Sequence, residues 1–144
     1  MRDAASRYEG KRLSKPDFVS HFREGLAHFN AREFWEAHEA WEALWLEAES
    51  ELHQFLQGLI QLAAAYHHIK RGTFRGAVRL IDAALAKLAP FPTRFCGIDR
   101  AEAEAAARRD RERAARAESL ALGDYPKLAL IDEDASSIPP RDDW

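Results

Sequence analysis

Apolar residues recur at helical spacing along most of the chain, and the cap and breaker residues between them divide it into about five helices. Phe18, Phe22, Leu26 and Phe29 lie on one face, behind a start signal at Ser14-Lys15-Pro16-Asp17 that supplies a cap, a proline in the first turn and an early acid. Asn30-Ala31-Arg32-Glu33 reads as a second start signal, with Asn30 capping and Glu33 reaching back, for a helix over about 33–48. A third is expected from Ser50 to Arg71, ended by Gly72, and a fourth from Thr73, with Phe74, Ala77, Val78, Ile81, Ala84, Leu85 and Leu88 as its stripe. Pro90 and Pro92 stop the fourth helix, and Asp99-Arg100-Ala101-Glu102 opens a fifth, rich in Ala, Arg and Glu, to about Ala117.

The third helix is the unusual one. Between Leu52 and Ile69 it carries no Asp, Glu, Lys or Arg, a composition that fits a central, covered helix. Its interruptions at Gln57, Gln61, His67 and His68 make it a poor membrane span. No strand alternation or repeat stands out. The pattern predicts an all-α fold, a compact bundle of about five helices whose second and third members form a central antiparallel hairpin. Residues 1–13 are expected to be a flexible leader, 14–117 the bundle and 118–144 an extended or disordered acidic tail, with Leu128 to Ile131 able to dock on the domain or a partner.

Composition narrows the function classes. The 144 residues carry 21 Lys plus Arg against 24 Asp plus Glu, a net charge of -3, so no excess of positive charge exists to grip nucleic acid. In the fifth helix five arginines meet five acids over 101–118 and cancel, which reads as a solvated surface helix. The single cysteine, Cys96, excludes an internal disulfide, and no apolar leader opens the chain, so neither secretion nor a membrane is expected and the cytoplasm is the expected location. Charge is segregated: residues 33–51 hold seven acids and no Lys or Arg, while 67–94 hold six bases and one acid, Asp82. Such patches favour self-association or a charged partner, and two solvated faces of one bundle would give the same count.

Candidate chemistry gathers on the second and third helices. A wheel of the second places Phe34, Trp35, Ala37, Trp41, Leu44, Trp45, Leu46 and Ala48 in one apolar arc, with His38 and Glu42 inside it and Glu39 at its margin. A carboxylate so placed needs a partner, and His38 one turn away can give a charge-assisted hydrogen bond. The third helix carries a polar strip of His53, Gln57, Gln61 and His68, with His67 at its edge. Across a hairpin, His38, Glu39, Glu42, Gln57, Gln61 and His67 are therefore expected to form a buried polar cluster, fixing helix register or receiving a small polar ligand. His21, His28 and His53 have no evident partners and read as surface or capping residues, and Cys96 lacks a neighbouring base.

A metal reading competes with this one. His38-Glu39-Ala40-Trp41-Glu42 is similar to the His-Glu-x-x-His helix of zinc peptidases with a carboxylate in the last place. His38, Glu42 and His67 would then hold a divalent transition metal, with Glu39 as base of a hydrolase. A di-iron bundle fails, because Trp35, Ala64 and Ala65 stand where its glutamates belong.

The run Phe29-Asn30-Ala31-Arg32-Glu33-Phe34-Trp35-Glu36-Ala37-His38-Glu39-Ala40-Trp41-Glu42-Ala43-Leu44-Trp45, followed by Gln57-Gly58-Leu59-Ile60-Gln61-Leu62-Ala63-Ala64-Ala65-Tyr66-His67, Arg71-Gly72 and Gly76-Ala77, resembles the domain of unknown function 309 family over about 18–116. The resemblance implies a small all-helical bacterial or archaeal fold, often a stand-alone protein, with motif residues at Glu36, His38, Glu39, Glu42, Trp45, Gln57, Gly58 and His67. It implies no activity. The reading taken forward is a non-catalytic cytosolic binding or interaction module, self-associating or receiving a small polar ligand, with the metal-dependent hydrolase as the alternative.

Overall fold

The structure, a computed structural model, describes residues 13–131. Five helices carry it: α1 (Lys15–Asn30), α2 (Phe34–Trp45), α3 (Ser50–Arg71), α4 (Phe74–Leu88) and α5 (Ala101–Ala115). Ser14 caps α1 as its sequence predicts, its Oγ accepting from the Asp17 N–H at 3.3 Å. Gly72 ends α3 at φ 77°, a conformation that glycine adopts without a Cβ penalty. No helix among the described residues is long and apolar enough to cross a membrane.

Aromatic packing sets the centre. Trp41 of α2 is fully buried against α1, with Phe22 and Phe29 at ring distances of 6.3 and 5.9 Å and its indole N–H donating to the Phe22 carbonyl at 3.1 Å. Phe29 continues to Phe34 and to Tyr66 of α3, edge-on at 5.1 and 6.4 Å. Gly25 is required at this crossing, since a Cβ there would overlap the Trp41 indole. Gly58 plays the same part between α3 and α4, where a Cβ would meet the Leu88 side chain at 2.7 Å.

Several local expectations resolve differently. Asn30 does not cap α2; its amide bridges to Leu128 through Nδ2 to the carbonyl at 2.9 Å and through Oδ1 from the N–H at 2.8 Å. Glu33 is spent on His28, 2.8 Å away, and Arg32 turns the chain at φ 64°. Three two-residue strands, β1 (Arg94–Phe95), β2 (Ile98–Asp99) and β3 (Ala129–Leu130), pair antiparallel in that order. Cys96 and Gly97, at φ 54° and 78°, make the tight turn between the first two, a turn whose usual signal is Asn-Gly. The packed region also runs past residue 117: Leu120, Pro126 and Leu128 are buried, and β3 anchors the described part of the expected tail. Leu13, assigned to the leader, is buried as well, with its N–H on Glu47 Oε1 at 2.8 Å. The rest of both terminal segments, 1–12 and 132–144 with Trp144, lies outside the described residues.

α5 is more than a solvated surface helix. It packs through Ala103, Ala107 and Ala114, and Asp110 on the same stripe is fully buried. Asp110 accepts the Tyr66 hydroxyl at 2.7 Å, while its other oxygen has no hydrogen-bond partner. Burial pushes its carboxyl above the usual carboxylate range, against the lowering effect of the Tyr66 hydrogen bond and of Arg109. Arg100, 1% exposed, donates Nε to Glu104 at 2.8 Å, Nη1 to the Pro92 carbonyl at 2.8 Å, and Nη2 to Leu88 and Phe91 at 3.2 and 3.3 Å. It thereby caps the end of α4 and fixes the turn that leads to β1, with its guanidinium 5.3 Å over the Phe55 ring.

Two stability outcomes follow from this packing. Gly25→Ala, a gain in helix propensity on an open surface, should instead cost about 1–3 kcal/mol in chemical denaturation because Trp41 must move. At Asp110 the folded state favours the protonated carboxyl, so its contribution to stability is complete below the unfolded value and is lost as pH rises through the raised folded value. Asp110→Asn keeps an acceptor for Tyr66 without the charge, and its melting temperature should gain on the parent as pH rises from 4 to 8, whereas Asp110→Ala should cost about 1–3 kcal/mol. A parallel pH profile for parent and Asp110→Asn would contradict this.

Candidate functional site: the half-open face of α2 and α3

α2 and α3 meet at both ends through paired rings. Trp35 in the first turn of α2 lies 5.2 Å from His67 near the end of α3, and Trp45 at the end of α2 stacks on His53 near the start of α3 at 4.5 Å. Trp35 also stacks on His38, 4.7 Å away and nearly parallel at 8°. His67 in turn meets His68 at 6.0 Å, and His68 Nδ1 is 2.6 Å from the Thr73 hydroxyl. The result is a ladder of rings along one side of the hairpin, where Trp35 remains 47% exposed.

His38, Glu39, Glu42, Gln57, Gln61 and His67 are all half-buried, so the expected buried cluster is an open-sided one. The displacement has a physical cause. The wheel counted Trp35 and Leu46 as core, yet both face solvent, and α2 instead turns Ala37, Ala40, Trp41 and Leu44 inward against α1 and α3. His38 and Glu42 therefore sit at the margin of the packed face. The expected bond between them is not made, because His38 Nδ1 is buried without a hydrogen-bond partner. Gln61 turns toward α4 and, with Gln54, Ala83, Ala86 and Lys87, lines a pocket of about 330 Å³ there, its Oε1 buried and unpaired.

Electrostatics favour a neutral imidazole at His67. Burial, and then the nearby Arg71, His68, His38 and Lys70, hold His67 below the usual histidine value. A neutral His67 offers one donor and one acceptor. Among the described residues no three His, Cys, Asp or Glu side chains converge as a metal ion requires, and His38, Glu42 and His67 are not such a group. Cys96 is buried and its thiol is pushed up by that burial, which keeps it from thiolate chemistry.

Other histidines have partners that the sequence did not reveal. His28 pairs with Glu33, His21 lies 3.9 Å from Glu24, and His53 carries the Trp45 ring. The buried charges Arg100, Glu104 and Asp110 also went unread, since they lie in a segment whose charges cancel. The one available signal was the spacing of Ala103, Ala107, Asp110 and Ala114, which puts an acid on an otherwise small apolar stripe.

The comparisons with known proteins meet this face. An uncharacterized protein of Aquifex aeolicus is 32% identical over 84 residues, covering 58% of this chain and 25% of that protein, so the chain spans about a quarter of the relative's length. The family described as "Domain of unknown function (DUF309)" matches residues 22–80. That is a shorter span than 18–116: it takes in most of α1, all of α2 and α3 and half of α4, and leaves the strands and α5 outside. Every residue of the α2–α3 face, from Trp35 to His67, falls within it. The match to the family described as a domain of unknown function is thus confined to the segment that carries this half-open face.

Proposed function

We propose that the protein is a non-catalytic, cytoplasmic binding module whose α2–α3 face is its recognition surface. The observation that carries this is the ring ladder of His38, Trp35 and His67, which is held in place yet left open to solvent. Its centre, Trp35, is 47% exposed and stacks on an imidazole whose Nδ1 has no hydrogen-bond partner among the described residues. An exposed tryptophan beside half-buried polar side chains supplies apolar area and hydrogen-bonding groups in one place, the combination by which a polar ligand is oriented. Glu42 and Gln57, each half-buried, add a carboxylate and an amide along the two helices.

Recognition and stability make opposite demands on these residues. A structural network around His38 would make His38→Ala cost about 2–4 kcal/mol by stranding a buried carboxylate. With no such bond made, the expected cost is about 1 kcal/mol or less, chiefly the stacking on Trp35. The test is a screen of small polar metabolites by amide and indole NMR on the parent and on Trp35→Ala and His38→Ala. Shifts confined to Trp35, His38, Glu42, Gln57 and His67, abolished in both variants at nearly unchanged melting temperature, are the expected result. A large loss of stability in His38→Ala without any ligand would return the cluster to a purely architectural role.

A further inference from the structure

The charges of α5 are largely spent within the monomer: Arg108 lies 3.8 Å from Glu104, Arg111 2.8 Å from Asp82, Arg113 3.8 Å from Asp124 and Arg116 2.9 Å from Glu118. Those of α2 and α4 are not. Glu36, Glu39 and Glu42 on α2, and Arg75 and Arg79 on α4, form no ion pair among the described residues, and the single acid of α4, Asp82, is taken by Arg111.

The helices that carry these two unpaired sets flank one seam. α3 lies between α2 and α4: His53 and His67 contact the tryptophans of α2, while Gln54 donates to the Lys87 carbonyl at 3.1 Å and His68 lies against Gly76. Between those two lines of contact α3 leaves Gln57, Ile60, Gln61 and Ala64 half-buried and uncharged. The face therefore has a neutral centre, an acidic edge on one side, a basic edge on the other, and Trp35 exposed beside the acidic edge. Uncharged centres with aromatic residues and charged rims characterise protein interfaces.

We propose that this face joins two copies of the chain about a two-fold axis through the α3 seam, the acidic edge of α2 in one protomer lying on the basic edge of α4 in its partner. The inference rests on reading the α2–α3 face as a recognition surface, and it names the partner. Two-fold symmetry places the same patch on both sides, so each acid edge finds a basic edge and the match is made twice. A partner of a single charge would satisfy one edge and oppose the other.

Sedimentation velocity of the full chain, at micromolar to submillimolar concentration and in low and high salt, tests this with two charge-reversed variants, Glu39→Lys/Glu42→Lys and Arg75→Glu/Arg79→Glu. The parent should dimerise, more weakly in high salt, and each variant alone should dimerise at least about tenfold more weakly. An equimolar mixture of the two should recover a heterodimer, because one of its two edge pairs then matches in reversed sense while the other keeps its native sense. A parent that stays monomeric throughout, or a mixture no better than its parts with circular dichroism showing both variants folded, overturns the dimer. A parent that stays monomeric yet keeps the NMR binding at the α2–α3 face would sink the dimer alone, and loss of both would sink the binding-module reading too.

Discussion

An uncharged central helix is the constraint from which the rest of the arrangement follows. Between Leu52 and Ile69 α3 offers water no Asp, Glu, Lys or Arg, and its Phe55, Leu56, Leu59, Leu62 and Tyr66 are all fully buried. A helix of that kind folds only if neighbours cover most of its circumference. α2 and α4 do so from two sides, and α4 comes in close at Gly58, where Leu88 occupies the space a side chain would need. What remains half-covered is the strip where the helix is polar without being charged, at Gln57, Gln61 and His67.

Much of this was legible because helix spacing is a local property. The starts at Ser14 and Ser50, the stop at Gly72 and the stripe of α4 required only neighbours in sequence, and they hold. Misreadings arose where a residue had two possible partners and tertiary contact decided between them. Asn30 can cap a helix or bridge to a distant strand, and Leu128, 98 residues on, takes its amide. The turn at Cys96 and Gly97 forms without the usual turn sequence because each of the strands it joins is only two residues long and Ile98 is buried beneath it. The site shows the same division. The wheels pointed to α2 and α3, but a wheel weights every tryptophan as apolar, and only packing reveals that Trp41 is core while Trp35 is surface.

The buried charges are kept apart from the half-open face. Arg100 and Glu104 serve the junction of α4, the 90–95 turn and α5, and Asp110 sits with Tyr66 where α5 crosses α3. Groups of this type are costly to strand, since removing one partner leaves the other unsatisfied in a low-dielectric interior. Among the described residues the α2–α3 face carries no comparable interlocked pair: its nitrogen at His38 is unpaired already, and its carboxylates at Glu39 and Glu42 are half-buried.

That separation bears on how a domain of this size can hold an open polar strip at all. A bundle with one small core has little stability to spare, and a polar cluster that supported both folding and binding would tie every change in specificity to a loss of fold. Here the junction at Arg100 and the Tyr66–Asp110 contact lie outside the 22–80 family match on their α5 side, while the ring ladder lies wholly within it. Changes in the open strip of the 22–80 segment therefore leave intact the interlocked charges that close the bundle.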